Sequence, residues 1–282
     1  MSAEEEIAEA LQSAGYPVHL NEGVWWQRRS PGFCKPMNPL RAIKKGESCP
    51  RWFRSPLGYS HVVPAAQEAT RTWDVMLLAG ERLKGFEIGY LKPRKRSAVR
   101  KALRELEIRR IEQIDPVLPA MNELCIATAL RTKHGRPSSY YTEKRPAWES
   151  FMRREFGIPG REWWGAFFEG RLISYYYAYL MEGTMHIAAA KSDTAYLKLT
   201  PNDAVAFSFL KYCAKLPGCE AVIYGDWSPG VVSLNEFKEQ FGFEKHSFPV
   251  YRAEPLLFKM ASSVWRNFSG LRQPASSEKP TR

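Results

Sequence analysis

Three strand-like runs follow one another at Glu162 to Phe168, Leu172 to Leu180 and Met185 to Ala190, and only short glycine-containing turns join them. Glu169-Gly170-Arg171 and Glu182-Gly183 are long enough for tight hairpins and too short for crossovers. This stretch therefore predicts three antiparallel strands in sequence order. The helical segments before and after it must cover the resulting sheet, which makes the fold class α+β: a mixed, mostly antiparallel sheet with helices on both faces.

The flanks supply those helices. Before the meander the pattern predicts a strand at Glu107 to Glu112, a helix from about Asp115 to Lys133, a polar loop through Tyr141 and a second helix around Pro146 to Glu155. After it, Thr200-Pro201-Asn202-Asp203 opens a helix that runs to about Leu216, because a hydroxyl cap followed by proline at the first helical position is a start signal. A strand at Glu220 to Tyr224, a short helix at Leu234 to Gln240, a strand at Phe243 to Arg252 and a helix from Pro255 to about Asn267 complete the order. The Ser/Pro/Lys-rich tail at 269–282 reads as disordered.

The N-terminal part is less regular. Ser2 and Glu5 form a capping-box pair that starts an amphipathic helix over residues 2 to 14, ended by Gly15 and Pro17. From Tyr16 to about Pro64, prolines interleave with Trp25, Trp26, Trp52 and Phe53, which predicts a packed Pro/Trp-rich arm. Trp25, Trp26, Arg28 and Arg29 there either offer a stacking platform for a base or sugar or pin an extended segment to the main body. Apolar periodicity at Val63 to Arg82 suggests a helix, and Phe86 to Leu91, between Gly85 and Pro93, suggests a short strand. Residues 94 to 107 place Val99, Ala102, Leu103 and Leu106 on one helical face and basic residues over much of the rest. The expected division is an arm at 1–84, a domain at 85–268 and a tail at 269–282.

With 41 Lys and Arg against 30 Asp and Glu, the formal charge of +11 calls for an anionic partner: nucleic acid, a phosphorylated cofactor or substrate, or an acidic lipid surface. No secretory signal and no apolar run of membrane-spanning length is present, so the expected location is the cytoplasm. Five cysteines without a CxxC pair read as reduced structural thiols, and no metal site is predicted.

The order helix, helix, three antiparallel strands, helix, strand, helix, strand resembles the GNAT arrangement. Several details resemble the Fem family and related single-domain acyltransferases: the segment Phe86-Glu87-Ile88-Gly89-Tyr90 leading into a basic helix, the Thr200-Pro201-Asn202 helix start, and Leu234-Asn235-Glu236-Phe237-Lys238-Glu239-Gln240-Phe241-Gly242, which is similar to the Fem-type "FK..FG" signature. The resemblance covers roughly residues 85 to 260. It implies a GNAT-like fold and an N-acyltransferase that uses acyl-CoA (acetyl-CoA) or aminoacyl-tRNA as donor and an amine of a small molecule, amino sugar or cell-envelope precursor as acceptor. Two departures stand against it: Fem proteins usually carry two GNAT-like domains, and 84 preceding residues are too few for one. GNAT enzymes also hold the donor pyrophosphate with a glycine-containing loop, whereas Lys191 to Asp203 contains no glycine.

By the same resemblance, Lys238 stabilises developing negative charge near the donor ester, with a solvated lysine on a short helix as the other reading. Phe237 packs beside it, or is a plain core residue. Asp226, at the end of a strand, is placed to accept a proton or hold the acceptor amine, though Gly225-Asp226-Trp227 also spells a turn. His186 has a suitable intrinsic pKa for general-base work, or is a satisfied strand histidine. Lys191, Thr200 and Asn202 fall where a donor would bind, and Arg136, Tyr140 and Tyr141 in a loop that borders the acceptor pocket of Fem-like proteins. Arg94, Arg96, Arg100, Lys101 and Arg104 could meet phosphates of tRNA or of a nucleotide-sugar. Besides the enzyme, two readings remain open: a nucleic-acid-binding module of tRNA type, and a non-catalytic interaction protein on the same scaffold.

Overall fold

The computed structural model describes residues 2–30, 32–51, 53–132, 136–227 and 229–255. The expected helix after Pro255, the tail, and His134 and Gly135 of the loop before Arg136 lie outside these residues. The described residues form two compact units, one made of residues 2–16 and 72–248 and the other of 17–71 and 249–255.

The larger unit holds the predicted meander. Strands β7 (Arg161–Phe168), β8 (Arg171–Met181) and β9 (Thr184–Ser192) pair antiparallel in sequence order. Both turns use a Glu-Gly pair with positive φ at each residue, 50° and 78° at Glu169-Gly170 and 40° and 78° at Glu182-Gly183, the backbone twist that two-residue hairpins require. On one side β6 (Glu107–Arg110) adds antiparallel to β7, and on the other β10 (Ala221–Asp226) adds parallel to β9. Beyond β10 lies β5 (Arg71–Ala79), antiparallel to it, and then β11 (Glu244–Ala253). Among the pairings described in this unit only β9–β10 is parallel, so the sheet is mixed and mostly antiparallel.

Helices cover both faces. On one, α3 (Pro93–Glu105) and α7 (Pro201–Lys215) close a core that includes Val99, Ala102, Tyr176, Ala204, Phe209, Leu210 and Phe241. On the other, α4 (Leu118–Thr132), α5 (Ser138–Glu143) and α6 (Arg145–Phe156) close a second core around Met121, Leu124, Tyr141, Trp148 and Trp163. The helix α1 (Ala3–Ser13) carries the expected reciprocal cap between Ser2 and Glu5. Short α2 (Glu81–Lys84) and α8 (Val232–Glu239) complete the set used below. Among the described residues no helix is long and apolar enough to cross a membrane.

Four local expectations are corrected. Val63 to Arg82 is not a helix: it follows β4 (Gly58–Val62) and carries β5, where Val75, Met76 and Leu78 are buried. Phe86 to Leu91 is not a strand but a 3-10 turn at Ile88–Tyr90, because the Arg96 guanidinium donates to the carbonyls of Gly89 and Leu91 and folds the segment onto the start of α3. The end of the polar loop, from Ser138 on, belongs to α5. The arm is β-structure, with β1 (Val18–Asn21), β2 (Val24–Ser30), β3 (Phe33–Pro36) and β4 in adjacent order and residues 250–253 of β11 paired with β4. Its small core is built on Val24, Trp26, Cys34 and Ile43.

Candidate active site

The parallel pair β9–β10 is the weak point of the larger sheet. Its register covers Ala221↔Thr184, Val222↔Met185 and Ile223↔His186, yet β9 runs on to Ser192 and β10 to Asp226. A register shift after Ile223 also changes the pairing of β10 with β5. The strands thus part beyond His186 and Ile223. Backbone that leaves a ladder must find other partners, and here a side chain supplies one: the Lys238 ammonium donates to the Asp226 carbonyl at 2.9 Å.

Lys238 sits in the last turn of α8 and is only 3% exposed. Its ammonium lies 5.4 Å from the Tyr224 ring centroid. Burial pushes its pKa below the ordinary lysine value, and the charge of Asp226 opposes the shift. Asp226 itself is exposed, and its Oδ1 accepts from the Trp73 indole at 2.7 Å. Tyr224 in turn shares a 2.8 Å hydrogen bond with Tyr176, and burial raises both phenol pKa values, so both keep their protons at neutral pH.

A second cation reaches the same cluster. Lys95, in the first turn of α3, binds both carboxylate oxygens of Asp203 in the first turn of α7, at 3.0 and 3.1 Å, and stands over the rings of Phe237 at 4.9 Å and Phe241 at 5.4 Å. Phe237 meets Tyr224 edge-on at 6.2 Å. A chain of contacts therefore joins Lys238, Tyr224, Phe237, Lys95 and Asp203, drawn from α8, β10, α3 and α7. Burial raises the Asp203 pKa against the pull of Lys95.

A cleft of about 480 Å³ opens beside this cluster, lined by Lys92, Arg94, Lys95, Ala98, Thr200, Asp203 and Gln240. The positive ends of α3 and α7 both reach it, and the first turn of α3 holds no acidic residue. Cations at a helix N-terminus are unfavourable against its dipole, and backbone N–H groups there are free to receive an anion. The cleft is built for negative charge. Thr200, the residue before α7, is held in the left-handed conformation at φ 49°, ψ 49°. Asn202 fixes the helix start to the sheet, accepting from Ser174 at 2.8 Å and donating to Ser192 at 3.1 Å.

The residues singled out in the sequence fall into two groups. Lys238, Asp226, Phe237, Thr200, Asn202 and Arg94 gather on the α7 side around the parted strands and the cleft. His186 faces Ile223 on the ladder where the strands part, but its side chain is stacked on Tyr179 at 4.8 Å, and Tyr179 carries the Arg161 guanidinium at 4.9 Å, itself ion-paired to Glu155 of α6. Lys191 acts on Cys125 of α4. Arg136 stands 4.1 Å over Tyr140, which meets Tyr141 edge-on at 5.3 Å, and Tyr141 is buried in the α4–α6 core. On α3, Arg96 is engaged with backbone carbonyls and Lys101 faces Glu105 at 3.9 Å, while Arg100 and Arg104 are exposed. The sequence reading missed Lys95, Asp203, Tyr224, Tyr176 and Trp73. Lys95 was hidden in a charged run; its pairing with Asp203 joins residues 108 apart. Among the described residues no cluster of His, Cys, Asp and Glu suited to a metal ion occurs.

The sequence matches no family model and no curated protein. Solved structures give a clear answer about shape: the crystal structure of FemX superposes with a TM-score of 0.61 at 12% identity, over 90% of this chain and 92% of that one. The fold is FemX-like. Two further structures share this FemX-like fold. L-PGS from Bacillus licheniformis aligns with a TM-score of 0.52 at 13% identity, over 93% of this chain and 96% of that one. The C-terminal domain of an Agrobacterium fabrum protein described as a lysylphosphatidylglycerol synthetase aligns with 0.58 at 9%, over 99% of both chains. The FemX-like fold thus spans both units of this chain.

Proposed function

We propose that this protein transfers an acyl or aminoacyl group from a phosphate-bearing donor to an amine, and that Lys238 stabilises the oxyanion of the reaction. The observation that carries the reading is a buried lysine ammonium, with one carbonyl and one aromatic ring as its neighbours, where two parallel strands part. A preorganised charge in a dry site acts strongly on charge that develops during reaction, and costs no reorganisation at that moment. The FemX-like fold and the Phe237-Lys238 motif support the same assignment.

In this mechanism the acceptor nitrogen attacks the donor carbonyl carbon, and the carbonyl electrons move onto oxygen beside Lys238. Collapse of the tetrahedral intermediate re-forms the carbonyl, breaks the bond to the thiolate or ribose oxygen and leaves an amide. The amine proton passes to the departing group. The Asp226 carboxylate, oriented by Trp73, holds the acceptor amine at the open end of β10. The donor's phosphates occupy the cleft between the ends of α3 and α7, facing Lys92 and Arg94. Acyl-CoA and aminoacyl-tRNA both carry such phosphates, and a cell-envelope precursor is the acceptor class that the Fem resemblance favours.

Thermal-shift titration separates the donors, since a ligand that binds only the folded state raises its melting temperature. A saturable rise with coenzyme A and acetyl-CoA that is lost in Arg94→Gln assigns a coenzyme A donor. No rise with either, together with transfer of the aminoacyl group from charged tRNA to an amine, assigns the tRNA donor. Absence of both rejects the transferase reading.

A further inference from the structure

The smaller unit has a cleft of its own, of about 240 Å³, lined by Pro17, Val18, His19, Arg28, Phe53 and Arg54. The tight turn at Glu22-Gly23, with φ of 46° and 76°, folds β2 back on β1 and brings Arg28 near His19. Arg54 arrives from the turn before β4, and its guanidinium lies 5.9 Å from the ring of Phe53, which is 53% exposed. No carboxylate lines this cleft among the described residues.

His19 is 8% exposed, yet its Nε2 meets no hydrogen-bond partner in the protein. Leaving such an atom unpaired in a buried place costs about 1–3 kcal/mol, so a native structure that keeps one has a use for it. Burial lowers the His19 pKa, and the charges of Arg54 and Arg28 lower it further. The ring is therefore neutral near pH 7 and has an N–H to give. The same two guanidinium charges, with no acid to offset them, act on the buried thiol of Cys34.

We propose that this cleft binds the phosphoryl group of a small phosphorylated molecule, with Arg28 and Arg54 as guanidinium donors, His19 as the third donor and Phe53 as the apolar wall at the mouth. Two guanidinium groups and an imidazole N–H suit an anion with three terminal oxygens better than a carboxylate with two. The volume is below that of cavities that enclose a whole drug-sized ligand, so the phosphoryl group enters and the rest of the molecule lies against Phe53. A polymer backbone would call for a row of such clefts, and here there is one compact set of donors. The site lies in the unit that holds none of the proposed transferase machinery, so it stands or falls independently of that activity.

The test uses the full-length protein labelled with ¹⁵N, following the imidazole resonances of His19, assigned with His19→Gln, during titration with inorganic phosphate and then with a nucleoside 5′-monophosphate. A saturable shift of the His19 nitrogens is expected, with the monophosphate binding more tightly than phosphate alone. Arg54→Gln and Arg28→Gln should each weaken it by about tenfold or more, the worth of one charge-assisted hydrogen bond, while the resonances of the other histidines stay in place and report an intact fold. Unmoved His19 resonances at saturating phosphate would overturn the proposal, as would an equal shift in both arginine variants. A response to a phosphodiester oligonucleotide or to anionic vesicles but to neither small phosphate would reassign the cleft to a polymer or lipid contact, and so overturn it as well.

Discussion

Lys95 and Asp203 tie the first turn of α3 to the first turn of α7, with the ammonium 3.0 Å and 3.1 Å from the two carboxylate oxygens and the side chains 13% and 9% exposed. The pair forms one wall of the cleft and holds the starts of the two helices together. Removing one partner of a buried ion pair costs far more than replacing both, because it strands a charge. Lys95→Met should therefore lower stability by about 3–5 kcal/mol, whereas Lys95→Met with Asp203→Leu should recover most of it. Urea unfolding of the two variants checks this; equal losses in both would refute the ion-pair account.

Asp203 adds a pH dependence whose sign is set by burial. Its folded-state pKa is raised above 3.8. Between 3.8 and that raised value the folded protein binds the proton that the unfolded chain has lost, so its contribution to stability falls as pH rises through this window. In Asp203→Asn this component disappears. The difference in melting temperature between wild type and Asp203→Asn should shift in favour of wild type on acidification through the window, and a flat difference would contradict the raised pKa.

Lys238 should separate activity from stability. Lys238→Met keeps the length of the side chain and removes a charge held against its desolvation cost. Transfer should fall by about 10²–10³-fold if the ammonium stabilises an oxyanion. Stability should change by no more than about 1–2 kcal/mol, because relief of the ammonium's desolvation offsets the hydrogen bond that the Asp226 carbonyl loses. The lowered lysine pKa gives the sign: between the folded value and 10.5 the unfolded chain holds more protons, so wild-type stability rises with pH relative to Lys238→Met. A variant that is inactive because it is unfolded would show as a lost thermal transition, and a stable, fully active variant would remove Lys238 from the mechanism.

Much of the larger unit was legible because its signals are local. The Glu-Gly hairpins, the alternating strands, the proline at the start of α7 and the Ser2–Glu5 cap each act within a few residues, and each appears where the sequence pointed. β5 was misread because a buried strand and a helix face both appear as apolar runs in a short window, and the strand identity of Val75, Met76 and Leu78 is decided by neighbours far along the chain. The strands of the arm are hidden for a related reason: Pro17 precedes β1, Pro36 ends β3 and Pro64 follows β4, where a missing N–H does no harm, so prolines there do not argue against strands. Within the site, Phe237 and Lys238 stood out through a motif, but their companions could not, since Lys95, Asp203, Tyr176 and Tyr224 meet only once two helices and two strands have packed.

Tyr176 and Tyr224 illustrate how such a buried pair responds to change. Their hydroxyl groups bond to each other at 2.8 Å. Either Tyr176→Phe or Tyr224→Phe leaves a phenol without its partner and should cost about 1–3 kcal/mol, while the double variant should cost less than the sum of the two. A double-mutant cycle by chemical denaturation measures the coupling, and strict additivity would mean that the bond contributes nothing.

Thr200 links backbone strain to the cleft. A β-branched residue at φ 49°, ψ 49° is held in a region that costs roughly 1–2 kcal/mol for any residue with a Cβ, and it stands immediately before α7 with its side chain lining the anion-facing wall. Strain retained at such a position is expected where the side chain serves a ligand. Glycine adopts this conformation freely and is accepted at the residue before a helix, so Thr200→Gly should raise stability by about 1 kcal/mol, allowing for the larger entropy glycine loses on folding. Donor binding should weaken at the same time, read as a higher KM for the donor with kcat nearly kept, because the hydroxyl would be lost from the wall while Lys238 is untouched. A gain in stability with an unchanged donor KM would leave the strain real and its use in binding refuted.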